Sequence, residues 1–251
     1  MTDSDLKLNH PPIVEAVLDI DCDVLPGQDF ASLQAVAQQA YVRDYPKQRS
    51  SFLAEFQIEP LSDGPARIRD TQGIQAFQYL TDDEKQIVQV RPQGFSFNRL
   101  APYTHLDAYM PEIERTFRLF RELASPVQVR AVRLRYINRI SLPLVNGKLD
   151  MEEYLTIGPR NPDGARMASA GFLIQQTLIE ADTKIYVNVV LTNQPVEKDD
   201  LPIILDIQAS TDVRLEADDW TGIVQHVMAL RHLKNHVFWK ALTEKCLRLF
   251  H

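Results

Sequence analysis

Apolar and polar residues alternate from Pro12 to Cys22, with Val14, Ala16, Leu18 and Ile20 on one side and Glu15, Asp19 and Asp21 on the other. A period of two is the signature of a half-buried strand. Phe52, Ala54, Phe56 and Ile58 repeat it, closed by Pro60 and a Ser62-Asp63-Gly64-Pro65 turn. Ile74 to Leu80 and Gln86 to Arg91 predict a hairpin around Thr81-Asp82-Asp83-Glu84, and Phe95 to Leu100 stays extended after Gly94. Two stretches switch to the helical period. Gln28 to Asp44, after a Pro26-Gly27 turn, carries Phe30, Leu33, Val36, Ala37, Ala40 and Tyr41. Leu106 to Leu123 sets Ile113, Phe117 and Phe120 on one stripe, with Pro111 in its first turn, where proline is tolerated.

The second half follows the same order. Val127 to Leu142 reads as a long strand followed by an Asn146-Gly147 turn, and Met151 to Ile157 as a short helix. A loop rich in glycine and proline spans Gly158 to Gly164. Ala170 to Glu180 and Lys184 to Leu191 predict a second hairpin, and Pro202 to Ser210 a further strand. Asp218 to about Leu249 reads as one long helix, capped by Asp218 or Asp219, with Trp220, Val224, Val227 and Val237 on its apolar stripe. Phe238, Trp239, Leu242 and Leu249 extend that stripe. Such a helix would cross the back of a long sheet, or protrude and mediate self-association.

Setting Val14 of the first strand on Val129 of the later one also sets Ala16 on Ala131 and Val17 on Val132. Both halves read strand, helix, meander, helix. The expected fold is therefore α+β: a mostly antiparallel sheet with helices on one face, built from halves spanning 1–125 and 126–251 that form one module. At fold level this pattern resembles the duplicated saddle of the TATA-binding protein.

Three stretches also resemble a sporadically distributed bacterial protein family of unknown function. They are Asn9-His10-Pro11-Pro12-Ile13-Val14-Glu15-Ala16-Val17, then Gly94-Phe95-Ser96-Phe97-Asn98-Arg99-Leu100 with Pro102-Tyr103, and Leu134-Arg135-Tyr136-Ile137-Asn138-Arg139-Ile140 with the nearby Tyr154-Leu155. The resemblance implies an accessory protein with no assigned chemistry, working beside neighbouring gene products, in a mobile or defence locus.

Composition narrows the classes further. With 251 residues, 45% hydrophobic and 24% charged, the chain reads as an ordinary globular protein. The net charge of −7 disfavours a whole-surface hold on nucleic acid or anionic lipid, though not a local basic patch. Cys22 and Cys246 fit neither a zinc spacing nor a disulfide framework, and no apolar run approaches the roughly 18 residues of a membrane span. Met1 to Lys7 is polar, unlike a signal peptide. A cytoplasmic protein away from membranes is expected.

The candidate chemistry lies on the paired strands. Alternation puts Arg133, Arg135 and Arg139 on one face of the long strand with Ile137, and Val132, Leu134, Tyr136, Asn138, Ile140 and Leu142 on the other. If the halves join through their first strands, Glu15 and Asp19 meet these arginines across the seam. Opposite charges so placed fix register and form a structural ladder. Any arginine left over would fork onto a phosphate, a carboxylate or an acidic peptide, and Arg91 and Arg99 are expected near the same surface with Tyr103. Asp206, alone in an apolar strand, is expected to partner an arginine, and Asn138 a backbone group. His232 and His236 stand four apart on the last helix, but without a third ligand they read as a surface pair, so neither a metal nor a cofactor is expected. No phosphate loop, dinucleotide fingerprint or nucleophile elbow appears.

These features point to a non-enzymatic interaction protein: an adaptor, sensor or antitoxin-like partner of another protein, or a homodimer, with no catalytic residues assigned. Two alternatives stand beside it. One is nucleic-acid or phosphate-ligand binding through the arginine face. The other is a hydrolase whose carboxylates converge on those arginines.

Overall fold

In the computed structural model, residues 8–24, 30–59, 67–159 and 170–251 are described, those at 52–59 and 67–75 by their backbone alone. The predicted turns at Pro26-Gly27 and at Ser62 to Pro65, and most of the 158–164 loop, lie outside the described residues. The fold is α+β. Its strands are β1 (Ile13–Asp23), β2 (Lys47–Glu59), β3 (Arg67–Leu80), β4 (Gln86–Arg91), β5 (Gly94–Leu100), β6 (Gln128–Pro143), β7 (Leu173–Ile179), β8 (Tyr186–Asn193) and β9 (Asp200–Glu216). Helices α1 (Phe30–Tyr41), α2 (Leu106–Ala124), α3 (Trp220–Ala241) and the short α4 (Glu244–Leu247) complete it.

All strands join one antiparallel sheet of nine, in the order β2-β3-β4-β5-β1-β6-β9-β8-β7. The first strand of each half lies at the centre, β1 against β6, and the last strand of each half, β5 or β9, returns beside it. The stretches at 13–17, 94–100 and 134–140 thus lie on three adjacent central strands, β1, β5 and β6. Gly94 is the pivot of the β4–β5 hairpin. Its φ is +141°, and a Cβ there would stand 2.2 Å from the Ile20 carbonyl oxygen, so only glycine lets β5 lie this close to β1.

Period-2 burial sorts the sheet into two faces. Ala16, Leu18, Ile20 and Cys22 of β1 and Val132, Leu134, Tyr136, Ile140 and Leu142 of β6 enter the core, as do Leu205 and Ile207 of β9. The helices cover this face. α2 sets Phe117 and Phe120 against Phe95, with ring centroids 5.5 and 5.9 Å apart, and α1 stacks Phe30 on Phe77 at 4.6 Å. α3 lies on β6 and β9 with Ile223, Val227, Leu230 and Phe238 inward. Asp219 caps it, accepting from the Gly222 amide at 2.8 Å.

Two expected elements differ. The long terminal helix stops at Ala241, because Leu242 is extended (φ −113°, ψ 146°) and bridges to Leu155. The Thr243 amide donates to the Tyr154 carbonyl at 3.0 Å, and the Thr243 hydroxyl caps α4. The chain thus gains partners outside the helix where a straight continuation would have none. The segment expected as a helix at 151–157 is a single 3-10 turn, Met151–Glu153. β9 also runs past Ser210 to Glu216, because the start of β6 remains to be paired there.

Candidate functional site

The face away from the helices carries a charge ladder, but not the expected one: among the described residues no ion pair joins Glu15 or Asp19 to a β6 arginine, and across the seam it is Asp21 that meets Arg133 and Arg130. Asp19 stands directly opposite Arg133 in the β1–β6 register. Asp21, only 2% exposed, is the focus. Arg91 donates to its Oδ1 at 2.9 Å, Arg133 pairs with Oδ2, and the Arg130 guanidinium lies 3.8 Å away. Asp19 accepts from the Ser96 hydroxyl and lies 3.6 Å from Arg91. Beside it, amides hand hydrogen bonds across four strands. Gln78 donates to Gln89 at 3.1 Å, Gln89 to Asn98 at 2.7 Å and Asn98 to Glu15 at 2.6 Å.

On the other side of the seam Arg135 forks onto Asp206, with Nε–Oδ1 at 2.9 Å and Nη2–Oδ2 at 2.6 Å. That hydrogen-bonded carboxylate holds the guanidinium above its ordinary pKa. Arg139 donates to Gln194 at 3.0 Å and pairs with Glu197 at 2.7 Å. Asp206, Asp19 and Glu15 are thus each engaged by a neighbouring side chain, which argues against a carboxylate pair free for acid–base work. A cleft of about 410 Å³ opens at the Asp21 end, where Arg130, Arg133 and Arg214 face Asp21, Asp23 and Asp212 in equal number. Arg91 Nε and Arg130 Nε have no hydrogen-bond partner among the described residues.

The predicted set does not all lie together. Arg133, Arg135, Arg139, Asp206, Asp19 and Glu15 share the open face, and Arg91 joins them. Arg99 and Tyr103 do not. Alternation along β5 turns Arg99 to the helix side, where its guanidinium lies 5.3 Å from the centroid of Tyr109 on α2. Tyr103 follows the end of β5 and meets Tyr136 of β6, hydroxyl to hydroxyl at 2.6 Å. The expectation that Arg99 joins Arg91 on one surface therefore fails: the two lie at opposite ends of the β4–β5 pair, Arg91 opposite Gly94 and Arg99 opposite Gln86, and point to opposite sides of the sheet. Asn138 does meet the backbone, donating to the Leu205 carbonyl at 2.9 Å.

A residue outside the predicted set stands out on the helix side. Lys234 of α3 is 6% exposed, and its ammonium lies 3.5 Å from the centroid of the Tyr136 ring. Among the described residues no carboxylate lies within ion-pairing distance of it. Burial, and secondarily the Arg231 guanidinium, push it down to about 7. It lines a cavity of about 280 Å³ between α3, β6, the β5–α2 loop and the segment before β1. Its signal was present in the sequence: Leu230, Lys234, Phe238 and Ala241 follow helical spacing on one buried stripe.

The remaining reactive groups are quiet. Burial pushes the Cys22 and Cys246 thiols up to about 12, which leaves them as packing groups. Among the described residues no three His, Cys, Asp or Glu side chains gather to hold a metal. No helix of the described residues is long and apolar enough to cross a membrane. Comparison of the chain with protein-family models, with curated proteins and with solved structures finds no match in any of the three.

Proposed function

We propose that this is a non-enzymatic interaction protein that self-associates edge to edge and offers its open sheet face to a protein partner. The observation that carries the reading is β7. This edge strand, Leu173-Ile174-Gln175-Gln176-Thr177-Leu178-Ile179, has no charge and no proline, and Leu173, Leu178 and Ile179 are 69%, 46% and 56% exposed. Among the described residues nothing pairs with its outer edge. Soluble proteins ordinarily protect such an edge with lysine, proline or a bulge, so a bare one is a template for strand addition.

The strand is also complementary to itself. Antiparallel pairing about Gln176 sets Leu173 opposite Ile179, Ile174 opposite Leu178, Gln175 opposite Thr177 and Gln176 opposite its own copy. Apolar then meets apolar at both ends and amide meets amide on the two-fold axis, as an isologous interface requires. The two sheets would run on as one. The near-palindromic strand order about the β1–β6 seam supports a duplicated unit of the saddle type.

On the open face the arginines are balanced by carboxylates, which favours a polar protein surface over nucleic acid as the partner. The Arg130 guanidinium, 40% exposed and only loosely paired with Asp21 and Asp23 at 3.8 and 3.9 Å, favours a second reading, an acidic group received at the Asp21 end. The test is the mass in solution by light scattering. Wild type is expected as a dimer at micromolar concentration and Gln176→Lys, which sets two ammonium groups across the axis, as a monomer. A monomeric wild type, or a variant that still dimerises, overturns the edge reading.

A further inference from the structure

We propose that the cavity under the β5–α2 loop is a binding site for a small organic carboxylate with an apolar body, received by the ammonium of Lys234. Three observations carry this, none of them used by the edge-to-edge reading. Lys234 lies on the buried stripe of α3 and lines the cavity, yet among the described residues it has only the Tyr136 ring as a partner. A buried charge is ordinarily paired or neutralised, because taking an ammonium out of water without a counter-ion costs several kcal/mol. A ring face offsets about 2 kcal/mol of such a cost. An arriving anion would supply the rest.

The surroundings say what kind of anion. Around Lys234 stand donors: the linked hydroxyls of Tyr103 and Tyr136, the amide of Asn235 and, at the mouth, His105 and the Arg231 guanidinium. Among the described residues no carboxylate lines the cavity. Arg231 is already held by Asp107 at 2.8 Å, so one unspent cation remains. One cation and walls of Pro12, Ile13, Phe238 and Trp239 suit a monoanion on an apolar body better than a doubly charged phosphate. The volume, about 280 Å³, stands at the lower end of the range for ligand pockets and limits the ligand to a small one.

The charged groups facing Lys234 also predict a proton linkage. Tyr103 and Tyr136 are both held well above the ordinary tyrosine range by burial, so neither ionises near neutrality. At pH 8 the free lysine is mostly neutral, and binding an anion would charge it.

Phenylacetate and hexanoate, with phenylacetamide and hexanamide as neutral counterparts, are titrated calorimetrically into the full chain at pH 8. The carboxylates are expected to bind saturably, with the amides at least about tenfold weaker, a difference of about 1.4 kcal/mol. Buffers of different ionisation heat should report uptake of close to one proton per ligand. Lys234→Met should lose carboxylate binding while melting no lower than wild type. The proposal is overturned if neither carboxylate gives a saturable heat in the millimolar range, if the amides bind equally, or if Lys234→Met still binds. Should that variant fail to fold, the amide comparison and the proton count on wild type still decide.

Discussion

Asp21 and Lys234 are both charged side chains buried in the middle of the fold, and they are treated in opposite ways. Asp21 has Arg91 and Arg133 on its two oxygens and Arg130 close behind. Lys234 has only an aromatic ring as a partner among the described residues, and it lines a cavity. A buried charge that is fully matched by its own chain belongs to the architecture, since its partners hold the central strands in register. One left unmatched is a standing cost to the fold, and such costs gather where a protein meets something else. The carboxylates and arginines of the open face are thus largely spent on one another, whereas the lysine hidden in a helix stripe is not.

Substitutions can break this contrast, and the largest effect is expected at Asp21. Asp21→Ala leaves Arg91 and Arg133 without their carboxylate in a half-buried setting, and breaking a buried pair from one side costs about 3–5 kcal/mol. Urea unfolding of the variant should show it. Lys234→Met should do the reverse, raising stability by on the order of 5 kcal/mol below pH 7, at about 1.4 kcal/mol for each pH unit between the two pKa values. The sign follows from the depressed folded-state pKa of about 7 against the ordinary 10.5. Between these values the unfolded chain binds more protons than the folded one, so wild-type stability rises with pH. The advantage of the variant therefore shrinks as pH rises from about 7 and is gone above about 10.5, which denaturation at a series of pH values would reveal. The smallest effect is expected at Arg139→Ala, because its partner Glu197 is 63% exposed. A loss of no more than about 1 kcal/mol is expected there.

The strands β1, β5 and β6 were legible because each alternates, and alternation also put the acids of β1 and the arginines of β6 on one face; which acid meets which arginine was not, because Arg133 reaches past Asp19, opposite it in register, to Asp21. Asp206 could be paired with an arginine for the same reason: a carboxylate in an apolar strand needs one. Arg99 and Tyr103 were misplaced because proximity in the chain was read as a shared surface, whereas a strand turns alternate residues to opposite sides. The end of α3 was hidden because Leu242 and Thr243 continue the helical composition, and only the bridge to Leu155, far away in sequence, draws Leu242 out of the helix. Lys234 stands between His232 and His236 on the last helix. Its place on the stripe was readable, but that the stripe there faces a tyrosine and a cavity depends on tertiary packing.

The same contrast applies at the two ends of the sheet's second half. β6 is bound on both edges, while among the described residues nothing pairs with the outer edge of β7. Gln176→Lys should convert a dimer to a monomer without touching either Asp21 or Lys234, so the edge and the cavity can be tested apart.

The claim that Lys234 is an unmatched buried charge is tested most directly by following its own titration. The NMR signals of its ε-CH2 group, assigned by their loss in Lys234→Met, should shift with a midpoint near pH 7 in the free protein. Saturation with phenylacetate should move that midpoint upward. A midpoint near the ordinary 10.5 in the free protein would mean that the lysine is solvated or already paired, and would contradict the account.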